Sequence, residues 1–310
     1  MRLGVLDIGS NTVHLLVVDA HVGAAPVPAL SQKTELRLAE RIDGSGAITA
    51  EGGQLLYDAL VRARAAAEEH GVDDLVAFAT SAVREASNGS DVLAQATAAA
   101  GVDVQVLPGE EEAKLTFLAV RRWYGWSSGR LLVLDIGGGS LELAVGSDED
   151  PTYSVSVPLG AGRVTRDFLH SDPPKRSELA ELRGYARATL RPVAAKLAGE
   201  GEPDRVVATS KTFRTLARLA GAAPARLGPM VQRSLTHGQL AGVLHVVARL
   251  PAGHRAELDG VSASRARQIV GGAVVADVAM ESCGVARVEI CPWALREGVI
   301  LRRLDWLTGS

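Results

Sequence analysis

Cysteine and aromatic residues are scarce in this chain, and no hydrophobic run is long. The 310 residues include two cysteines, Cys283 and Cys291, and only 4% aromatic side chains. Two cysteines are too few for a disulfide framework or a cysteine-rich metal site, which predicts reduced thiols in a cytosolic protein. No uninterrupted apolar run reaches the roughly 18 residues that a membrane span needs. The sequence therefore predicts no membrane partner.

The chain also has little excess of charge of either sign, and it has no evident targeting segment. The formal net charge of −3 points to no particular partner and predicts no nucleic-acid binding, although one groove can concentrate positive charge in an acidic protein. Met1 leads almost directly into an apolar strand, without the basic segment and cleavage site of a secretory leader. These absences together predict a cytoplasmic location.

What the chain does contain is an alternation of strand-like and helix-like segments. The composition is 47% hydrophobic and 22% charged, as in globular proteins, and the length suggests about two domains. The alternation predicts an α/β architecture. We expect strands at 3–6, 12–19, 36–42, 75–79, 102–107, 131–145 (a hairpin), 153–158, 205–208 and 288–290. We expect helices at 49–71, 91–100, 110–124, 177–197, 212–220 and 293–304, and a polar loop at 81–90.

The segment 126–129 predicts a linker between two domains. The first domain is expected at 1–125 and the second at 130–292. A closing helix at about 293–306 is expected to pack back on the first domain. Both predicted domains open with the same hairpin pattern, which indicates an internal duplication.

The two copies of this hairpin carry polar residues at their turns. The first reads LGVLDIGSNTVHLLVV from Leu3, and the second reads LLVLDIGGGSLELAVG from Leu131. Glycines expose backbone N–H groups and let a phosphate approach the chain closely. Asp7 and Asp135, at the strand ends, are hard oxygen ligands that suit Mg²⁺. Each turn by itself would also fit an ordinary hairpin turn, but two turns of one form favour phosphate binding.

Paired loops of this kind resemble those of the actin and sugar-kinase superfamily. The resemblance implies two actin-like (ribonuclease H-like) α/β domains with a cleft between them. A narrower resemblance is to the Ppx/GppA family of exopolyphosphatases and guanosine pentaphosphate phosphatases. It is carried by collinear blocks that run from residue 5 to 219. These blocks are VLDIGSNTVHLLVVD, ATSAVREASNG, VLPGEEEAKLTFLAV, LVLDIGGGSLEL, SVPLGAGRVTRDFL and VATSKTFRTLARL, with a weaker match at WALREGVI.

The resemblance implies roles for three side chains that have simpler explanations when each is considered alone. Glu112 would be the catalytic carboxylate that activates water, although acids in the first turn of a helix also stabilise it. Arg84 would hold the transferring phosphoryl group, for which a guanidinium is suited, although a surface arginine is usually only solvated. Glu142 would be the second acidic residue of the site, although strand alternation, which puts it on the face opposite to its two leucine neighbours, would also fit a solvent-exposed position. A lone histidine among apolar residues, His14, is expected to be structural.

The remaining candidate residues bind phosphate or metal. Asp135, Glu142 and Asp7 are expected to hold Mg²⁺ or Mn²⁺. The expected phosphate-binding residues are Ser10, Asn11, Thr12, Gly137, Gly138, Gly139, Ser140 and Lys211.

Two positions depart from the family pattern. Pro108 stands where relatives commonly have serine, and Lys211 stands where they usually have glycine. In actin-like proteins the loop that contains Lys211 approaches a nucleoside, so a lysine there would crowd a base and could instead meet an anion. This departure favours inorganic polyphosphate over a nucleotide as the substrate.

The expected function is therefore an exopolyphosphatase, which removes terminal phosphate from inorganic polyphosphate. The sequence ends at 310 without the further C-terminal domains of longer family members, which implies a preference for short chains. Hydrolysis of pppGpp is the alternative within the family. A kinase of the same superfamily and a non-catalytic polyphosphate or alarmone sensor are more distant alternatives. Family members are often dimers, so a homodimer is expected.

Overall fold

The structure is a computed structural model that describes residues 1–21, 23 and 26–308. It divides into two compact units. The first unit comprises Met1–Leu115 and Leu295–Ser310, and the second comprises Thr116–Ala294. Among the described residues no helix is both long enough and apolar enough to cross a membrane.

The bounds of the regular elements follow the alternation that the sequence predicts. The strands are β1 (Arg2–Ile8), β2 (Thr12–Asp19), β3 (Pro28–Glu35), β4 (Asp74–Ala79), β5 (Val104–Val106), β6 (Leu131–Ile136), β7 (Leu141–Gly146), β8 (Tyr153–Val157), β9 (Arg205–Thr209), β10 (Ser234–Thr236) and β11 (Arg287–Ile290). The helices are α1 (Ala50–Glu69), α2 (Ser81–Arg84), α3 (Gly89–Ala100), α4 (Gly109–Tyr124), α5 (Ala161–Phe168), α6 (Arg176–Gly199), α7 (Ser210–Leu219), α8 (His237–Val247), α9 (Ala252–Ala256), α10 (Gln268–Ser282) and α11 (Leu295–Thr308).

The first unit is built on a sheet with the strand order β3-β2-β1-β4-β5. Strands β1, β4 and β5 are parallel, so their carboxyl ends lie at one edge of the sheet. One face of the sheet packs against α1, whose apolar residues Leu56, Leu60 and Ala63 recur at helical spacing and are buried. Thr49 caps this helix by accepting a hydrogen bond from the Gly52 N–H at 3.2 Å.

The opposite face of this sheet is covered by the helix that closes the chain. Val299 and Ile300 of α11 belong to a buried cluster with Leu3, Val5 and Phe78 of the sheet. The core of the first unit therefore needs residues from both ends of the sequence.

The second unit contains a sheet with the order β10-β11-β9-β6-β7-β8. Strands β6, β9 and β11 are parallel, and β6 and β7 form an antiparallel hairpin. The order β8-β7-β6-β9-β11 repeats the order β3-β2-β1-β4-β5 of the first unit, which supports the duplication. Helix α10 is buried at every residue from Gln268 to Met280, and its apolar side chains form one large apolar cluster with residues of the sheet.

Two local predictions from the sequence are wrong, and several elements were not predicted. Residues 36–42 do not form a strand, because Leu38–Arg41 is a 3₁₀ turn and Arg37 has a positive φ of 48°. The strand lies earlier, at the polar and largely exposed β3, which lacks an apolar pattern. The expected loop at 81–90 contains the helix α2, and α5 was not expected.

Candidate active site

The first candidate phosphate loop, the turn at residues 9–12, lies at the carboxyl edge of the first sheet. It is a tight turn in which the Gly9 N–H donates to the carbonyl of Thr12, the first residue of β2, at 3.0 Å. Ser10 and Asn11 are both buried. The Ser10 hydroxyl lies 3.3 Å from the hydroxyl of Ser81 at the start of α2. The loop and the helix that follows β4 are therefore joined at this edge.

Arg84 and Glu112 meet at the same edge. Arg84 is the last residue of α2, and Glu112 lies in the first turn of α4, which follows β5. Arg84 Nη1 donates to Glu112 Oε1 in a close ion pair, and also donates to the Leu107 carbonyl at 2.7 Å. Glu112 is 8% exposed and Arg84 is 21% exposed. The structure thus brings together two candidates that are far apart in the sequence.

Asp7, at the end of β1, is paired with an arginine that the sequence analysis did not single out. Arg296 Nη1, from the first turn of α11, donates to Asp7 Oδ2 at 2.9 Å. Burial raises the pKa of the Asp7 carboxyl above its usual range, while the charge of Arg296 and the hydrogen bond from it act in the opposite direction. Asp7 is therefore held by a cation inside its own unit.

The second phosphate loop is supported by the amino end of α5. The N–H groups of Ala161 and Gly162 donate to the carbonyls of Gly137 and Gly138 at 3.0 and 2.9 Å. The side chain of Arg163 donates to the Gly139 carbonyl at 2.9 Å. These bonds turn the loop carbonyls toward the helix.

The amide groups of the same loop are arranged differently. Among the described residues, the N–H groups of Gly138, Gly139 and Ser140 donate to no protein acceptor. Successive unpaired N–H groups in a turn form an anion-binding concavity. The loop is therefore suited to phosphate.

Asp135 and Glu142 lie directly opposite each other in the hairpin of β6 and β7. Paired residues of antiparallel strands extend from the same face of the sheet, so the two carboxylates are neighbours. Glu142 is buried, and its Oε1 accepts a hydrogen bond from Ser156 Oγ at 2.8 Å. No group of three or more His, Cys, Asp or Glu side chains that could hold a metal is found within the described part of the chain. Two carboxylates fit Mg²⁺, which typically takes one or two carboxylates and completes its shell with water and phosphate oxygens.

Lys211 follows a strained residue at the start of α7. Ser210 has a positive φ of 81°, a conformation that a non-glycine residue rarely adopts. Lys211 Nζ lies 3.5 Å from the Gly260 carbonyl. Together with Arg265 and Gln268 it lines a small pocket. Lys211 therefore lies at a small, largely apolar pocket of the second unit.

The candidate residues thus fall into one group in each unit. Ser10, Asn11, Arg84 and Glu112 share the carboxyl edge of the first sheet, and Asp135, Glu142 and the loop 137–140 share the corresponding edge of the second. His14 is buried, and its Nε2 lies 2.8 Å from Ser31 Oγ. In α/β sheets, ligands bind beyond the carboxyl ends of the strands.

Two residues that matter to these groups were missed. Arg296 contacts Asp7, and Gly160 packs so closely that a Cβ there would overlap the backbone of Gly139 and Ser140. Both lie in blocks that the sequence analysis quoted without giving these residues a role. One signal for Arg296 was available in the sequence. Arg296 follows Pro292, before α11, at the same spacing at which Glu112 follows Pro108, before α4.

Amide donors, carboxylates and a guanidinium at the carboxyl edges of duplicated α/β sheets define a phosphate-handling protein of the actin-like class. Comparisons with known proteins narrow this class. The sequence model of the Ppx/GppA phosphatase family matches residues 17–306. The chain belongs to the Ppx/GppA phosphatase family.

Individual relatives agree with this assignment. The chain is 56% identical to Exopolyphosphatase 1 of Mycobacterium tuberculosis over 305 residues, which is 98% of this chain and 89% of the relative. It is 53% identical to Exopolyphosphatase 1 of Mycobacterium leprae over 305 residues, with 98% and 90% covered. The crystal structure of an exopolyphosphatase from Cytophaga hutchinsonii superposes with a TM-score of 0.89 at 26% identity, covering 99% of this chain and 98% of that one. The expected α/β class with two actin-like halves is confirmed.

Proposed function

We propose that this protein is an exopolyphosphatase that hydrolyses the terminal phosphoanhydride of inorganic polyphosphate and releases orthophosphate. The observation that carries the proposal is the Arg84–Glu112 pair beside the first phosphate loop. The pair combines an acceptor for the proton of water with a donor for phosphate oxygens. The names of the mycobacterial relatives support the choice of substrate.

Glu112 is the proposed base. Its carboxylate accepts the hydrogen bond from Arg84, and in the proposed reaction it orients a water molecule and accepts its proton. The water oxygen forms a bond to the terminal phosphorus as the bridging P–O bond breaks. The shortened chain departs as the leaving group.

The other residues bind and neutralise the phosphate chain. Arg84 balances charge on the equatorial oxygens of the transferring group, and the N–H groups of the loop 137–140 bind non-bridging oxygens. Asp135 and Glu142 would hold Mg²⁺ or Mn²⁺, which neutralises phosphate charge when bound. Ser10, Asn11 and Thr12 complete the phosphate contacts, and Lys211 binds an anionic part of the chain.

Phosphate release from defined substrates tests this proposal. The purified protein is incubated with Mg²⁺ and tripolyphosphate, long-chain polyphosphate, pppGpp or ATP, and ATP is supplied with and without a sugar. We expect the highest kcat/KM with a polyphosphate, and the two chain lengths also test the expected preference for short chains. Faster hydrolysis of pppGpp would assign the protein to the alternative activity. Binding without turnover would indicate a sensor, and activity only with ATP and a sugar would indicate a kinase.

A homodimer and a cytoplasmic location stay predictions from the sequence. Light scattering of the purified protein tests the first, and fractionation of cells that express it tests the second.

A further inference from the structure

The two halves of the chain place different chemistry at equivalent positions. Asp7 in β1 and Asp135 in β6 occupy the same place in the repeated strand order. In the second unit, the residue opposite Asp135 is Glu142. In the first unit, the residue opposite Asp7 is His14. A second carboxylate is therefore present beside one strand-end aspartate and is replaced by an imidazole beside the other.

The strands next to these hairpins, β3 and β8, also differ in the residues that they place beside His14 and Glu142. His14 is opposite Lys33 in β3, whereas Glu142 is opposite Ser156 in β8. Arg296 then adds a guanidinium directly on Asp7. Asp7 is thus bonded directly to a guanidinium, although the charge of the Glu297 carboxylate also acts on it, whereas the residue paired with Asp135 is a carboxylate. A carboxylate that is already bonded to a guanidinium attracts a divalent cation less strongly than two neighbouring carboxylates do.

Arg296 is not needed to fix α11 to the first unit. Val299 and Ile300 are buried against the sheet, and Arg303 Nε pairs with Asp74 Oδ2 at 2.6 Å. Gly298 packs so closely that a Cβ there would overlap the backbone of Leu115. A partly buried ion pair is weak evidence for a stabilising role, so the Arg296–Asp7 pair suggests a function.

The guanidinium of Arg296 has N–H donors besides the one that bonds Asp7. Nη1 bonds Asp7, while the buried Nε has no hydrogen-bond partner within the described residues. The side chain is 23% exposed, and the Asp7 carboxylate lies beside the turn at Gly9. A guanidinium held on one side by a carboxylate can present its other edge to phosphate oxygens.

We propose that Arg296 is a substrate-binding residue of the first phosphate loop, that Asp7 is its positioning residue, and that Asp7 is not a metal ligand. The divalent cation then depends on Asp135 and Glu142. This inference rests on the proposed function and deepens it, because it divides the binding of the phosphate chain between an arginine and a metal. It replaces the expectation that Asp7 binds metal.

The test of Arg296 measures binding without turnover. Tripolyphosphate is titrated calorimetrically, with Mg²⁺ present, into the Glu112→Gln protein and into the same protein carrying Arg296→Met. We expect the second change to weaken binding by about tenfold or more, since a charge-assisted hydrogen bond is lost. Arg296→Lys is expected to give an intermediate loss, because it retains the charge but not the fork.

Arg303→Met is the matched control. It removes an arginine of the same helix that also pairs with an aspartate of the sheet, but Asp74 is the first residue of β4 and lies away from the carboxyl edge. We expect it to change the tripolyphosphate dissociation constant by less than about twofold. Equal dissociation constants for the Arg296 and Arg303 variants would overturn the proposal. If Arg296→Met does not fold, Asp7→Asn combined with Arg296→Met removes both charges and carries the same expectation.

The metal assignment is tested by binding of Mn²⁺ followed by electron paramagnetic resonance. Asp7→Asn is expected to bind Mn²⁺ as the wild type does, whereas Asp135→Asn is expected to bind at least about tenfold more weakly. A loss in Asp7→Asn as large as that in Asp135→Asn would overturn the assignment. If tripolyphosphate fails to bind the Glu112→Gln protein at all, the proposed substrate is wrong, and this outcome differs from each of those above.

Discussion

Glu112 differs from its neighbours in the first turn of α4 by its burial and its partner. Glu110 pairs with Lys114 at 2.9 Å and its side chain is 61% exposed, whereas Glu112 is buried against Arg84. The same residue type therefore forms an exposed pair within the helix at one position and a buried pair with Arg84 of another helix at the other.

This contrast gives a prediction for turnover. Glu112→Gln is expected to lower kcat for polyphosphate by about 10²–10⁴-fold, because the amide cannot accept the proton from water. Tripolyphosphate binding should be largely retained. Steady-state phosphate release checks the first expectation and calorimetry the second. Glu110→Gln is the control and should alter kcat by less than about twofold, and a Glu112→Gln protein of near wild-type rate would remove Glu112 from its proposed role.

The two cysteines give a second prediction at the residue scale. Burial raises the pKa of the Cys283 thiol to about 11, and Cys291 is fully buried. Because the thiolate is the reactive form, only about one Cys283 in a thousand is reactive at pH 8. We expect slow labelling by a disulfide reagent that accelerates about tenfold per pH unit up to pH 11. In urea both thiols should react quickly, and fast labelling of the folded protein at pH 8 would contradict the prediction.

At the scale of elements, the second phosphate loop depends on close packing against α5. Gly160 has an ordinary φ of −72°, so its backbone conformation suits any residue. The restriction is steric, since a Cβ would overlap Gly139 and Ser140. Glycine here allows two backbone segments to approach each other.

Gly160→Ala is therefore expected to displace the loop. The loss of aligned N–H donors should lower kcat/KM for polyphosphate by about 10²-fold or more, and overpacking should cost about 1–3 kcal/mol of stability. Phosphate release and thermal unfolding measure the two effects. Gly184→Ala in α6 is the control, because a Cβ there meets nothing within 4 Å. It should leave kcat/KM unchanged and stabilise the protein by up to about 1 kcal/mol, and equal effects of the two variants would show that the loop tolerates a side chain.

Elements with strong apolar patterns could be predicted from the sequence, and elements set by tertiary contacts could not. Both hairpins, β1–β2 and β6–β7, follow from apolar runs bounded by glycine turns. Arg37 has a positive φ because its N–H and that of Leu36 both donate to the Asn11 carbonyl. No local pattern announces such a contact. The contact of Arg296 with Asp7 could likewise not be predicted, because the two residues lie 289 positions apart in the chain.

At the scale of the whole molecule, the first unit is assembled from the two ends of the chain. Residues 1–115 supply the sheet and the helices of one face, and α11 supplies the cover of the other face. The second unit, Thr116–Ala294, is continuous and contains its own buried cluster. The two units should therefore respond differently when the chain is divided.

A fragment of residues 1–125 tests this difference. Without α11, Leu3, Val5 and Phe78 lose the apolar cover that Val299 and Ile300 provide, so we expect the fragment to bind a hydrophobic dye and to unfold without a cooperative transition. A version of this fragment in which residues 295–308 are joined ahead of residue 1 should regain a cooperative transition. It restores the apolar cover and the Arg303–Asp74 pair. The fragment 116–294 should unfold cooperatively on its own. Calorimetry of the three proteins measures the result, and a cooperative transition for 1–125 alone would show that α11 is dispensable for folding of the first unit.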